Sequence, residues 1–190
     1  MKAITREQFE SALRYVLDAP KDGGLLKLIV IRPHTGEREV LESCELSLRY
    51  GAKGDRWALK CWKSLPDGSP DPDVQIAITN YRVLELLADT DERRALAGDN
   101  LCVDLDLSDG NLRTGDRLSI GRAILEVTAV PHNGCGKFRE RFGEDALSYI
   151  NSPLGKSLHL RGIYARVVRD GVVCVGDSMT KVGTESGRGA

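Results

Sequence analysis

No segment of the chain approaches the roughly twenty consecutive apolar residues needed to span a bilayer. The opening MKAITREQFESALRYVLDAP also lacks the uninterrupted apolar stretch of a signal peptide. A soluble, cytoplasmic protein with no membrane association is the expectation. CxxC pairs are missing, and the five cysteines (Cys44, Cys61, Cys102, Cys135 and Cys174) are odd in number and widely spaced. That suits a reducing compartment better than a paired secreted framework, and no CxxC motif suggests a compact redox or zinc-ribbon site. There is no GxGxxG phosphate loop, and strand and helix patterns do not alternate as repeated units, which argues against a doubly wound nucleotide-binding sheet. Charge of one sign is lacking too: 28 acidic residues offset 27 basic ones. General attraction to nucleic acid is therefore not expected, and any anion site has to be built locally.

What is present is enough for one sizeable core, because 190 residues with 41% in the hydrophobic group need no disulfide scaffold. Thr5 and Gln8 have capping-box spacing at the start of REQFESALRYVLD, whose Phe9, Leu13, Val16 and Leu17 share one helical stripe. From LLKLIVIRP onward the pattern turns to strands. SLPDGSPDPD, residues 64–73, reads as a polar excursion, and VQIAITN as a strand followed by the helical YRVLELLA. LSIGRAILEVTAV predicts strands around a glycine turn, and Asp170-Gly171 within YARVVRDGVVCVG predicts a type I′ hairpin. The fold class expected is mainly β with peripheral helices, a compact barrel or curled sheet. Residues 1–24 form a helical extension in this reading, 25–182 the main domain and 183–190 a flexible tail.

HNGCGKFRERFG, residues 132–143, is the segment richest in chemistry. Gly134 and Gly136 remove bulk on both sides of Cys135 and make its sulfur reachable. Lys137, Arg139 and Arg141, joined by His132 when it is protonated, would give the positive surroundings in which a sulfur acts as a nucleophile or a soft-metal ligand. Several readings stand side by side: a persulfide carrier or metal-cofactor ligand; a plain Gly-Cys-Gly turn anchored by Phe138 and Phe142; a zinc site on His132 and Cys135; and a cysteine hydrolase using His132 or His159 as base. GAKGDRW, residues 51–57, combines turn glycines with Asp55, Arg56 and Lys53, fitting either a phosphate contact or a charged loop. Asn100 in AGDNLCV and Arg117 in GDRLSIG pose the same choice. Cys44, Cys61, Cys102 and Cys174 sit in apolar or alternating stretches and read as buried structural thiols.

The order of GAKGDRW, GDNL, TGDRLSIGRAILEVT, HNGCGKFRERFGEDALSYI and LRGIYARVVRDGVVCVGD resembles the MOSC family, domains related to the C-terminal part of molybdenum cofactor sulfurases, over about residues 25–182. The resemblance implies a MOSC-like β-barrel that binds molybdenum cofactor (molybdopterin) or handles sulfur. It places the family cysteine on Cys135, as persulfide carrier or molybdenum ligand, and the Gly-Asp-Arg feature on Gly54, Asp55 and Arg56. Arg56, Asn100, Lys137 and Arg139 become candidate cofactor contacts, with His132, Gly134 and Gly136 in support. The activity implied is sulfur transfer, or alternatively molybdenum-dependent reduction of N-hydroxylated compounds; a noncatalytic anionic-ligand or protein-binding domain is the third reading. The chain has no room for a pyridoxal-phosphate-dependent desulfurase portion, so no bound pyridoxal phosphate is expected. A sulfur-donating desulfurase and a molybdoenzyme acceptor are the implied partners. The family often has proline closer to the cysteine, whereas here Pro131 is followed by His-Asn-Gly before Cys135.

Overall fold

A computed structural model describes residues 4–183; most of the expected 183–190 tail lies outside the described residues. Helix α1 (Arg6–Leu17) begins with the predicted capping box: Thr5 Oγ1 accepts from the Gln8 amide and Gln8 Oε1 accepts from the Thr5 amide. The strands are β1 (Gly24–Ile31), β2 (Glu39–Leu41), β3 (Ser43–Ser47), β4 (Gly51–Ala52), β5 (Ile76–Asn80), β6 (Leu101–Asp104), β7 (Arg117–Ile120), β8 (Ala123–Val127), β9 (Ile163–Arg169), β10 (Gly171–Cys174) and β11 (Ser178–Val182). Seven of them close into a barrel in the order β11-β7-β8-β9-β5-β6-β1, because Gly24 of β1 pairs back onto Met179 of β11. Near its other end β1 carries β2, and β10, β3 and β4 make a small separate sheet. Among the described residues only β5 and β6 pair in parallel, so a crossover must join them. That crossover holds α2 (Tyr81–Leu87) and α3 (Asp91–Arg94). The helical layer is completed by α4 (Gly136–Phe142), α5 (Glu144–Ile150) and α6 (Pro153–Ser157).

Two apolar bodies hold this arrangement. Leu26, Ile29, Ile78, Leu101, Leu118 and Leu125 belong to the cluster inside the barrel. Phe9, Leu28, Val30, Leu84, Phe142 and Tyr149 belong to the one between barrel wall and helices. The sequence of β1 shows how a strand serves both. Leu26 pairs with Val103 and Leu28 with Cys102, so Lys27 is an extra residue at a bulge. The bulge resets the two-residue alternation, putting Leu26, Ile29 and Ile31 in one cluster and Leu28 and Val30 in the other.

One expectation is corrected. Asp170-Gly171 does not make a hairpin, since β9 pairs with β8 and β5 while β10 pairs with β3. Gly171 has no positive φ; it is required by close approach, because a Cβ there would lie 2.3 Å from the backbone of Arg122 and Ala123. The pair turns a corner from barrel to small sheet, fixed by Asp170 Oδ1 accepting from the Leu48 amide at 2.8 Å. Gly121, with φ of 52°, does form the expected tight turn between β7 and β8.

Candidate functional site

Cys135 is exposed and stands immediately before α4 in extended conformation. Its loop is held from below. Gly134 N donates to Asn151 Oδ1 at 2.9 Å and Asn151 Nδ2 donates to Gly134 O at 3.1 Å, a two-bond clamp from the end of α5. A Cβ on Gly134 would meet the tips of Leu147 and Ile150 at 2.7 and 2.8 Å, whereas one on Gly136 would meet nothing within 4 Å. Phe138 and Phe142, one turn apart with ring centroids 4.8 Å from each other, anchor the helix beneath the loop.

Cys135 lines a cleft of about 400 Å³ that adjoins another of about 280 Å³; the two share Arg32, Arg56, Trp62 and Lys137. Arg38, Arg141 and Arg161 complete the cationic wall of the first, and Lys60 adds a charge in the second. Two of these cations are neutralised. Arg32 forks onto Asp55 at 2.8 and 3.0 Å, and Arg161 Nη1 donates to both oxygens of Asp99 at 2.7 and 2.6 Å. The others have no carboxylate partner among the described residues: Arg56 donates to Thr35 Oγ1, Arg141 to Leu96 O and Arg38 to Glu37 O. Arg38 feels this most. Burial and the guanidinium groups of Arg141, Arg32 and Arg56 bring it down to about 10, and its Nε is buried without a partner among the described residues. A wall with this excess of positive charge attracts anions.

The carboxylate that organises the wall is Asp55. Both its oxygens accept, from Arg32 N, Nε and Nη2, Trp57 N and Asn100 Nδ2. Burial alone would raise Asp55, but the Arg32 guanidinium and the backbone amides outweigh it and hold the carboxyl below its ordinary range. Gly54, with φ of +88°, turns the chain so that Asp55 points inward. Trp62, 68% exposed, stands over both clefts in line with Tyr164 and His132, centroid separations being 6.2 Å and 4.3 Å.

The sequence-derived residues therefore divide. Cys135, Arg56, Lys137 and His132 meet at one cleft, with Gly54, Asp55, Gly134 and Gly136 shaping it. Asn100 does not line it: fully buried, its side chain serves Ala77 N, Val30 O, Arg32 and Asp55 and so positions Arg32. Arg139 faces away toward Glu144 at 3.7 Å, and Lys53 pairs with Glu45 at 2.9 Å. Arg117 pairs with Glu126 on the barrel surface. Cys44 and Cys102 are buried as expected, but Cys174, on the outward side of β10, is exposed. No group of three or more His, Cys, Asp or Glu side chains converges to hold a metal among the described residues, so the zinc reading has no ligand set. His159 is committed elsewhere, between Leu107 O and Asp109, which removes it as a base for Cys135. Sequence reasoning missed Arg32, Arg38, Trp62, Asp99 and Asn151; Arg161, which the sequence offers either as a pocket residue or as a strand-edge one, lines the cleft.

The MOSC domain family model matches residues 72–180, more than half of the chain. The chain belongs to the MOSC domain family. MOSC domains are associated in general with molybdenum-cofactor binding or sulfur handling. Among solved structures, the MOSC chain is similar in fold to YuaD from Bacillus subtilis, at 18% identity over 82% of this chain and 93% of that one with a TM-score of 0.56. YiiM from Escherichia coli matches at 19% identity over 84% of this chain and 70% of that one, TM-score 0.54. YiiM from Geobacillus stearothermophilus matches at 16% identity over 89% and 77%, TM-score 0.52. At these identities the likeness is one of fold. No curated protein matches the sequence. No helix among the described residues is long and apolar enough to cross a membrane.

Proposed function

We propose that this MOSC domain handles sulfur for the molybdenum cofactor, with Cys135 as a persulfide carrier. The observation that carries the reading is an exposed thiol opening onto a cleft walled by unpaired guanidinium and ammonium groups. The Cys135 thiolate attacks the sulfane sulfur of a donor persulfide; the donor's S–S bond breaks, its thiolate leaves, and Cys135 holds the sulfur as a new persulfide. The same exchange onto an acceptor thiolate returns the Cys135 thiolate. A desulfurase is the sulfur donor in this reading, and a molybdoenzyme is the acceptor. This is a transferase role in the cytoplasm.

The residues present fit the molybdenum cofactor. Its pterin carries a phosphate, and Arg38, with a buried unpartnered Nε, stands with Arg56, Arg141 and Lys137 around a space large enough for such a group. Arg32, fixed by Asp55 and Asn100, orients rather than neutralises. When bound, the cofactor supplies oxidation–reduction at molybdenum. That space is larger than a transferred sulfur requires, and this favours a second reading in which Cys135 ligates molybdenum directly and the domain reduces an N-hydroxylated substrate.

Anaerobic reconstitution with molybdopterin and with a persulfide donor, followed by metal, pterin and sulfane-sulfur analysis, separates the readings. Sulfane sulfur on the wild type, absent in Cys135→Ser and accompanied by no reductase turnover, is expected. Stoichiometric cofactor with turnover and no persulfide would select the reductase. Neither would leave a binding domain.

A further inference from the structure

Trp62 has no part in the chemistry above, yet it lines both the cysteine cleft and its smaller neighbour. At 68% exposed it leaves most of an indole in solvent. A single exposed apolar side chain is ordinary on a protein surface, so its placement decides what it means. Asp71 fixes that placement. Its carbonyl accepts from Trp57 Nε1 at 3.2 Å, its amide donates to Lys63 O at 3.1 Å, and its carboxylate pairs with Lys63 Nζ at 2.7 Å. On the other side of Trp62, Lys60 N donates to Arg56 O at 2.8 Å. The backbone is therefore tied on both sides of Trp62, and the ring is presented by a held segment.

The ground around the ring is cationic. Arg56 and Lys137 line both clefts that meet at Trp62, Lys60 lines the smaller one, and Arg38 and Arg141 line the larger. Behind the indole, Tyr164 is buried and stacks in turn on His132, so Trp62 is the outermost ring of an aromatic row that begins inside the protein. An apolar protein contact would draw on Leu59 and Leu65, which are exposed in the same segment, but neither lines either cleft. A flat π face set between two cationic concavities suits a small ligand that carries both a flat ring and an anionic group. Nitrogen heterocycles of the nucleobase kind stack on such a face whatever hydrogen bonds their edges make.

We propose that Trp62 is the stacking platform for the flat aminopyrimidinone ring of the cofactor's pterin, with the phosphate reaching the wall of Arg38, Arg56, Arg141 and Lys137. The identity of the ring rests on the molybdopterin reading given above. The chemistry that the platform recognises is shared by any fused aminopyrimidinone bearing a phosphate, guanine nucleotides included.

The test titrates the full chain with neopterin monophosphate, GMP and glycerol phosphate. Calorimetry gives affinity. The chain's other tryptophan, Trp57, is buried, so emission of wild type minus that of Trp62→Ala isolates the platform. Neopterin monophosphate should bind one to one and quench Trp62. Trp62→Ala should weaken it about five- to hundredfold, and Trp62→Phe, which keeps a ring, by no more than about threefold. Glycerol phosphate has no ring and should bind wild type and Trp62→Ala alike. Leu59→Ser, outside both clefts, should leave every affinity unchanged. Absence of saturable binding by either ring compound, or equal affinity for them in wild type and Trp62→Ala, would overturn the proposal. Tighter binding of GMP, with the same quench and the same loss in Trp62→Ala, would support the platform and overturn the molybdopterin reading. Persulfide loading of wild-type Cys135 is measured in parallel: loading without ring binding overturns the platform alone, and ring binding without loading overturns the sulfur-carrier reading alone.

Discussion

Replacing Asp55 by alanine tests the organisation of the cationic wall. The carboxylate accepts five hydrogen bonds, three of them from Arg32, whose own side chain is 21% exposed while that of Asp55 is 1% exposed. Removing it leaves a largely buried guanidinium without its counter-charge and frees the Trp57 and Asn100 donors. Breaking a buried pair from one side costs about 3–5 kcal/mol. With a urea dependence of about 2 kcal/mol/M, the unfolding midpoint should fall by about 2 M. The pH dependence has a definite sign. Asp55 is depressed in the folded state, so its contribution is complete above the unfolded value of about 3.9 and is lost as the pH falls through the folded value. Urea titrations of wild type and Asp55→Ala at several pH values measure both effects. The gap between them should be constant above about pH 5 and close on acidification. A destabilisation below about 1 kcal/mol, or a gap that does not narrow in acid, would refute the account of Asp55 as the wall's anchor.

Other outcomes follow from the same geometry. Gly134→Ala forces the tips of Leu147 and Ile150 to move and should cost about 1–3 kcal/mol, whereas Gly136→Ala meets open space and should be neutral or stabilising by up to about 1 kcal/mol in thermal melts. A thiol-reactive chromophore should label Cys135 and Cys174 rapidly in the folded protein, with Cys44 and Cys102 reacting only on unfolding; early labelling of Cys102 would contradict its burial. His132 is held neutral by burial, its folded value lying well below the ordinary one. Stability should therefore fall as pH drops below about 6.5, by up to about 1.4 kcal/mol per unit, and His132→Gln should flatten that slope in denaturant titrations.

The β-rich class, the first helix with its cap and the cysteine loop are legible because each depends on residues close in sequence. Thr5 and Gln8 are three apart, and Gly134, Cys135 and Gly136 are contiguous. The cationic wall is not local. Arg32 and Arg38 follow β1, Arg141 lies on α4 and Arg161 precedes β9, and barrel closure brings them to one cleft. Asn100 and Arg139 show the opposite error. A polar residue in a promising motif went to the interior to satisfy Ala77 N and Val30 O, and an arginine two positions from Lys137 faces another side of a short helix. Asp170-Gly171 has hairpin composition, yet β9 and β10 find partners in different sheets, so tertiary pairing overrides the local turn preference.

The central claim is that the cationic cleft makes Cys135 the sulfur carrier, and Cys174 provides the internal control because it is also exposed but lies outside that cleft. Peptide-level mass spectrometry after brief anaerobic exposure to a persulfide donor measures both thiols in one sample. The account predicts an added sulfur on the Cys135 peptide, abolished in Cys135→Ser, with the Cys174 peptide little changed. Equal loading of the two cysteines, or loading of Cys174 alone, would contradict it.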